Sequence, residues 1–130
     1  RACSLSVDEA EDSGAEIVDD IAQDAAEAVL EQCDRTIDEV DVYVPHQANK
    51  RIIDYAVGKL GIAPERTVVN VDRFGNTSSG SIPLALAEAR ADGRLTDGAL
   101  VLMTGMGAGL TWGSALIEWG GLPASGRRGR

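Results

Sequence analysis

The run Ala99-Leu100-Val101-Leu102-Met103, with Asp97-Gly98 before it and Gly105 after it, is the longest unbroken apolar stretch in the chain. A strand of that composition has no polar side to offer water, so it is expected inside a sheet covered on both faces. The rest of the chain supplies candidate layers. From Ala15 to Cys33, the residues Ile17, Ile21, Ala25, Ala28, Val29 and Gln32 trace one helical face that is polar only at its end, with Ser13 or Gly14 as candidate N-cap. Val40, Val42 and Val44 alternate with Asp41 and Tyr43 as in a strand, and Pro45 ends it by removing a backbone donor. Ala48, Ile52, Ile53, Ala56, Val57 and Leu60 return to helical spacing, and Gly61 is placed as C-cap. After the Pro64-Glu65 turn, the β-branched run Thr67 to Val71 reads as a short strand. A helix from Ser79 to Ala91 follows, with Ile82, Leu86 and Ala89 on one side and Pro83 tolerated in the first turn. A last strand, Thr111 to Trp119, forms a hairpin with the apolar one.

The order helix, strand, helix, strand, helix, strand, strand predicts an α/β fold: a mixed sheet with layered helices and no internal repeat. A length of 130 residues, 44% of them hydrophobic and 25% charged, suits one soluble domain with a real core. The apolar stretch is too short to span a bilayer, and the start, Arg1-Ala2-Cys3-Ser4-Leu5, carries no signal-peptide pattern, so a cytoplasmic location and no membrane partner are expected. The tail from Gly120 to Arg130 is rich in Gly, Arg and Ser and is expected to be disordered. The net charge of −9 is uneven, because residues 1–45 hold 14 acidic side chains and 2 basic ones. The mildly basic remainder allows an acidic partner and gives no sign of a nucleic-acid groove. Cys3 and Cys33 lack metal-ligand spacing and read as reduced and structural.

Ligand chemistry in open α/β sheets gathers at the carboxyl ends of strands. Loops Pro45 to Asn49, Arg73 to Ser78 and Gly105 to Leu110 leave such ends. His46, the single histidine, and Asn76 would bring two neutral donors to one oxygen, the arrangement that stabilises an oxyanion. Gly105-Met106-Gly107-Ala108-Gly109 precedes a strand where a dinucleotide loop would open a helix, so close backbone approach to a ligand or another segment is the better reading. Ser78, Ser79 and Ser81 occur without a G-x-S-x-G elbow, and Ser79 or Ser81 reads as a helix cap.

Three motifs, Val44-Pro45-His46-Gln47-Ala48-Asn49-x-Arg51-Ile52, Gly75-Asn76-Thr77-Ser78-Ser79-x-Ser81-Ile82-Pro83 and the closing Gly105-x-Gly107-x-Gly109-x-Thr111-Trp112-Gly113-Ser114, resemble the C-terminal half of β-ketoacyl-acyl carrier protein synthase III, a thiolase-fold enzyme. The resemblance covers roughly residues 15–119, between a short N-terminal segment (1–14) and the tail (120–130). It implies a thiolase-like half-domain whose parent condenses an acyl-CoA primer with malonyl-acyl carrier protein to start fatty-acid synthesis. No cofactor and no metal are implied. His46 and Asn76 match the residues that bind the malonyl thioester carbonyl during decarboxylation. Gly107, Ala108 and Gly109 match the loop whose backbone amide helps form the oxyanion hole for the cysteine step; Ala108 stands where glycine is frequent, and the amide survives. Asn49 matches a residue near the pantetheine arm, and Arg51, with Lys59 beside it, matches a carrier-protein docking patch.

The nucleophilic cysteine of that family lies in an N-terminal half, and neither Cys3 nor Cys33 has its context. The resemblance therefore implies partners: the missing N-terminal half, acyl carrier protein, acyl-CoA and a second copy in a homodimer. The chain alone is expected to be inactive. A related polyketide or alkylquinolone condensing enzyme, or a non-catalytic carrier-protein or CoA-binding module, stays open as an alternative.

Overall fold

A computed structural model describes residues 2–7, 14–108 and 111–120 of the chain, with side chains from Gln23 onward. Four strands, β1 (Ala2–Val7), β2 (Val42–Pro45), β3 (Leu100–Gly107) and β4 (Thr111–Glu118), form one mixed sheet in the order β1-β4-β3-β2. β2 runs parallel to β3, and β4 is antiparallel to both β3 and β1. The helices are α1 (Gly14–Gln32), α2 (Lys50–Leu60), the single turn α3 (Val71–Phe74) and α4 (Ser81–Ala91). Among the described residues no helix is long and apolar enough to cross a membrane.

Two cores lie on opposite faces of the sheet. On one, Ala26, Val29 and Leu30 of α1 and Leu60 of α2 pack on Tyr43, Leu102 and Leu116. On the other, Ala85 and Ala89 of α4 pack on Val42, Val44 and Val101. β3 is thus covered on both sides, as its composition requires. β2 is covered too, which departs from the alternation in its sequence. All four of its residues are buried, and the Tyr43 hydroxyl, 2.7 Å from Thr104 Oγ1, finds its partner inside; burial pushes that phenol up to about 12.

Several elements differ from the sequence reading. β1 is an additional strand, whose signal was the alternation of Cys3, Leu5 and Val7 with Ser4 and Ser6. On α1 the buried face runs through Leu30, while Ala28 is half-buried and Gln32 exposed; the contributions of Ile17 and Ile21 lie outside the described side chains. Gly105 to Gly107 extend β3, paired with Gly113 to Thr111, so the glycine loop is confined to the hairpin tip. The tail beyond Gly120 lies outside the described residues.

The expected strand Thr67 to Val71 makes one parallel bridge, Tyr43 to Thr67, and then turns into α3. The cause is a side chain. Gln47, fully buried, donates through Nε2 to Pro45 O (2.9 Å) and Val68 O (3.0 Å), and its Oε1 accepts from the N–H groups of Asn70 (2.9 Å) and Val71 (3.1 Å). Those backbone groups have no need of a neighbouring strand.

Candidate active site

His46 leaves β2 directly after Pro45, and its backbone N–H donates to Thr104 O at 2.7 Å, extending the β2–β3 ladder by one residue. Because these strands are parallel, the His46 loop and the glycine end of β3 emerge at the same end of the sheet. The imidazole is held from the far side, where Nδ1 lies 2.5 Å from Ser81 Oγ. Burial holds its pKa below the ordinary histidine value, so the ring is neutral near pH 7.

Asn76 arrives on the turn between α3 and α4. Gly75 adopts φ 66°, ψ −166°, a conformation a side chain would disfavour, and Ser78 sits at φ 52°. Asn76 Oδ1 accepts the Ser78 N–H at 2.9 Å, which commits the carbonyl end of the amide and leaves the Nδ2 donors without a partner among the described residues. The turn is tied down at its start: Asn70, 1% exposed, donates to Glu88 Oε2 of α4 at 2.9 Å, and Arg73 pairs with the other oxygen of the same carboxylate. Those hydrogen bonds, from Asn70 first and Arg73 second, hold Glu88 below the usual carboxylate range.

His46, Asn76 and the segment Gly105 to Ala108 line one cavity of about 530 Å³, with Ser78, Ser79, Ser81 and Ile82 between them. Among the described residues no charged side chain lines it. Two neutral nitrogen donors and a glycine-rich backbone facing one space are suited to binding a carbonyl oxygen that gains negative charge. A Cβ placed on Gly105 would meet only Ile82 Cδ1, at 3.7 Å, and one on Gly107 would meet nothing within 4 Å. The glycines therefore leave open space beside the strand and serve no tight contact with another described segment. Among the described residues no group of three or more His, Cys, Asp or Glu is placed to hold a metal ion.

Asn49, Arg51 and Lys59 stand outside the described lining. Asn49 caps α2, its Oδ1 accepting the Ile52 N–H at 3.0 Å. Arg51 and Lys59 are exposed on α2, and the Lys59 ammonium lies 5.3 Å from the centre of the Tyr55 ring. Gly109 lies outside the described residues. Ser81 is no cap: Gly80 holds that position, and the Ser81 hydroxyl is turned to His46 and accepts the Gln47 N–H at 3.3 Å. Sequence reasoning missed Gln47 and Ser81 because each acts on groups distant in the chain.

Residues 30–119 match the family described as 3-oxoacyl-[acyl-carrier-protein (ACP)] synthase III C terminal. The chain belongs to this family. Among similar curated proteins, the beta-ketoacyl-[acyl-carrier-protein] synthase III of Symbiobacterium thermophilum is 53% identical over 100 residues, which cover 77% of this chain and 30% of that protein. The protein of the same name from Rhizobium rhizogenes is 56% identical over 96 residues, 74% of this chain and 30% of the relative. The crystal structure of the Thermus thermophilus synthase III superposes with a TM-score of 0.80 at 47% identity, covering 82% of this chain and 33% of that one. The synthase III C-terminal chain thus spans about 30% of the length of the curated relatives it matches. Its α/β architecture, with a mixed sheet between helical layers, is the thiolase-like arrangement the motifs implied.

Proposed function

We propose that this chain supplies the malonyl-binding half-site of a 3-oxoacyl-acyl carrier protein synthase III, an acyltransferase that joins an acyl-CoA primer to malonyl-acyl carrier protein and so initiates fatty-acid synthesis. The observation that carries the reading is the shared cavity of His46, Asn76 and the Gly105 to Ala108 backbone. In this reading, His46 Nε2 and Asn76 Nδ2 donate to the malonyl thioester oxygen. The bond to the carboxylate breaks, CO₂ leaves, and its electron pair forms the enolate that the two donors stabilise. The enolate carbon then attacks an acyl-cysteine thioester, and collapse of the tetrahedral intermediate expels the thiolate. The cysteine comes from a complementary half, since neither Cys3 nor Cys33 has the sequence context of the family's nucleophile, and Cys33 is not among the described residues that line the cavity. Amides of the Gly107-Ala108-Gly109 segment take the oxyanion of the cysteine step, and no cofactor takes part.

Asn49 keeps an Nδ2 group for the pantetheine arm once its Oδ1 has capped α2. Arg51, without a carboxylate partner among the described residues, and Lys59 on the same helix form the docking surface for acyl carrier protein. A homodimeric, cytoplasmic enzyme is the setting this function requires.

The test uses the enzyme completed with its cysteine-bearing half, in which acyl transfer and malonyl decarboxylation are followed separately. His46→Ala or Asn76→Ala should cut decarboxylation about 100-fold or more, the scale of one oxyanion donor, and leave most acyl-enzyme formation intact. Loss of acylation with decarboxylation spared would reverse the assigned roles.

A further inference from the structure

Which nitrogen of His46 faces the cavity follows from the hydrogen-bond count at Ser81. This serine opens α4 and is 2% exposed. Its oxygen stands 2.5 Å from His46 Nδ1 and accepts the Gln47 N–H at 3.3 Å. A hydroxyl has one proton to give and two lone pairs to fill. Were Nδ1 protonated, Oγ would receive two donors, and its own proton would be buried with no acceptor among the described residues. Buried polar groups avoid that state. With Nδ1 bare, Ser81 donates to it, Gln47 fills a lone pair, and every polar atom is used. The proton of the neutral ring must then sit on Nε2.

We propose that Ser81 is a positioning residue that donates its hydroxyl proton to His46 Nδ1 and thereby presents Nε2–H, on a neutral ring, to the cavity. The proposal rests on the reading of His46 as a donor to a substrate oxygen, for which a bare Nε2 would be repulsive. The surroundings agree: among the described residues no charged side chain lines the cavity from β2, β3, α4 or the turn carrying Asn76, so nothing there favours the imidazolium. The depressed pKa of the ring, caused by burial, points the same way.

The chain has one histidine, so a long-range ¹H–¹⁵N spectrum of the labelled 130-residue protein reads His46 alone. The expected result is the Nε2–H tautomer across the neutral range; an Nδ1–H pattern overturns the proposal without any variant. Ser81→Ala should mix the tautomers and raise the histidine pKa, because a hydrogen bond made to the neutral form is lost. Ser81→Thr, which keeps the hydroxyl, should restore both. An unchanged tautomer and pKa in Ser81→Ala would also overturn it. In the completed enzyme, Ser81→Ala should lower kcat for decarboxylation about tenfold with little change in KM, and Ser81→Thr should recover it. The spectra report on Ser81 whether or not His46 proves catalytic, so the positioning role and the functional reading fail separately.

Discussion

His46 combines a backbone fixed by the sheet with a ring fixed from another element, and its charge state governs what it can do. A depressed pKa means that the unfolded chain takes up the proton first as pH falls. The ring's contribution to stability is therefore present above the ordinary value of 6.5 and is lost as pH drops through the lower folded value. If catalysis needs the neutral ring, decarboxylation by the completed enzyme should hold steady through pH 7 and fall along an acid limb centred below 6.5. A pH profile of kcat for decarboxylation measures this, and a limb centred above 7 would exclude the assignment. Asn76 has no such dependence. Its orientation comes from the Ser78 N–H, a local contact made possible by the two positive-φ residues around it.

At the level of elements, Gln47 joins the His46 loop to the segment that leads into the Asn76 turn through three hydrogen bonds, and a fourth ties it back to Pro45 O. Gln47→Ala strands two carbonyls and two N–H groups in a buried place, at ~1–3 kcal/mol for each group that water fails to reach. A stability loss of about 3 kcal/mol is expected in urea unfolding, and a loss below about 1 kcal/mol would mean that the staple is dispensable. The same residue explains the limit of what the sequence could say. Helices α2 and α4 and strands β3 and β4 were legible because periodic apolar residues and their punctuation are local signals. The segment Thr67 to Val71 has β-branched composition without a strand's pairing, since a glutamine 21 or more residues away satisfies its backbone. Likewise His46 and Asn76 stood out as donors at strand ends. Ser81, 35 residues from its partner, could only be read as the cap that serines at helix starts usually are.

Across the whole molecule the sheet has a near side and a far side. The site grows from β2 and the end of β3, whereas β1 occupies the opposite edge, with Ala2 paired to Ile117. The near-side pair β2–β3 and the hairpin β3–β4 sit in a framework whose register is set without β1. Zipping β1 onto β4 closes a loop nearly the length of the chain, and closure entropy grows with loop length, so this edge should assemble last and open first. Hydrogen exchange is expected to show β1 amides opening at a lower free energy than those of β3, as a separate cooperative unit. The His46 imidazole signal should be unmoved when the β1 edge is opened by Leu5→Pro. A coupled loss of both would mean that the sheet unfolds as one body. The order β1-β4-β3-β2 thus places a detachable hem at one border of the fabric and the chemistry at the other, so that fraying at the first need not reach the second.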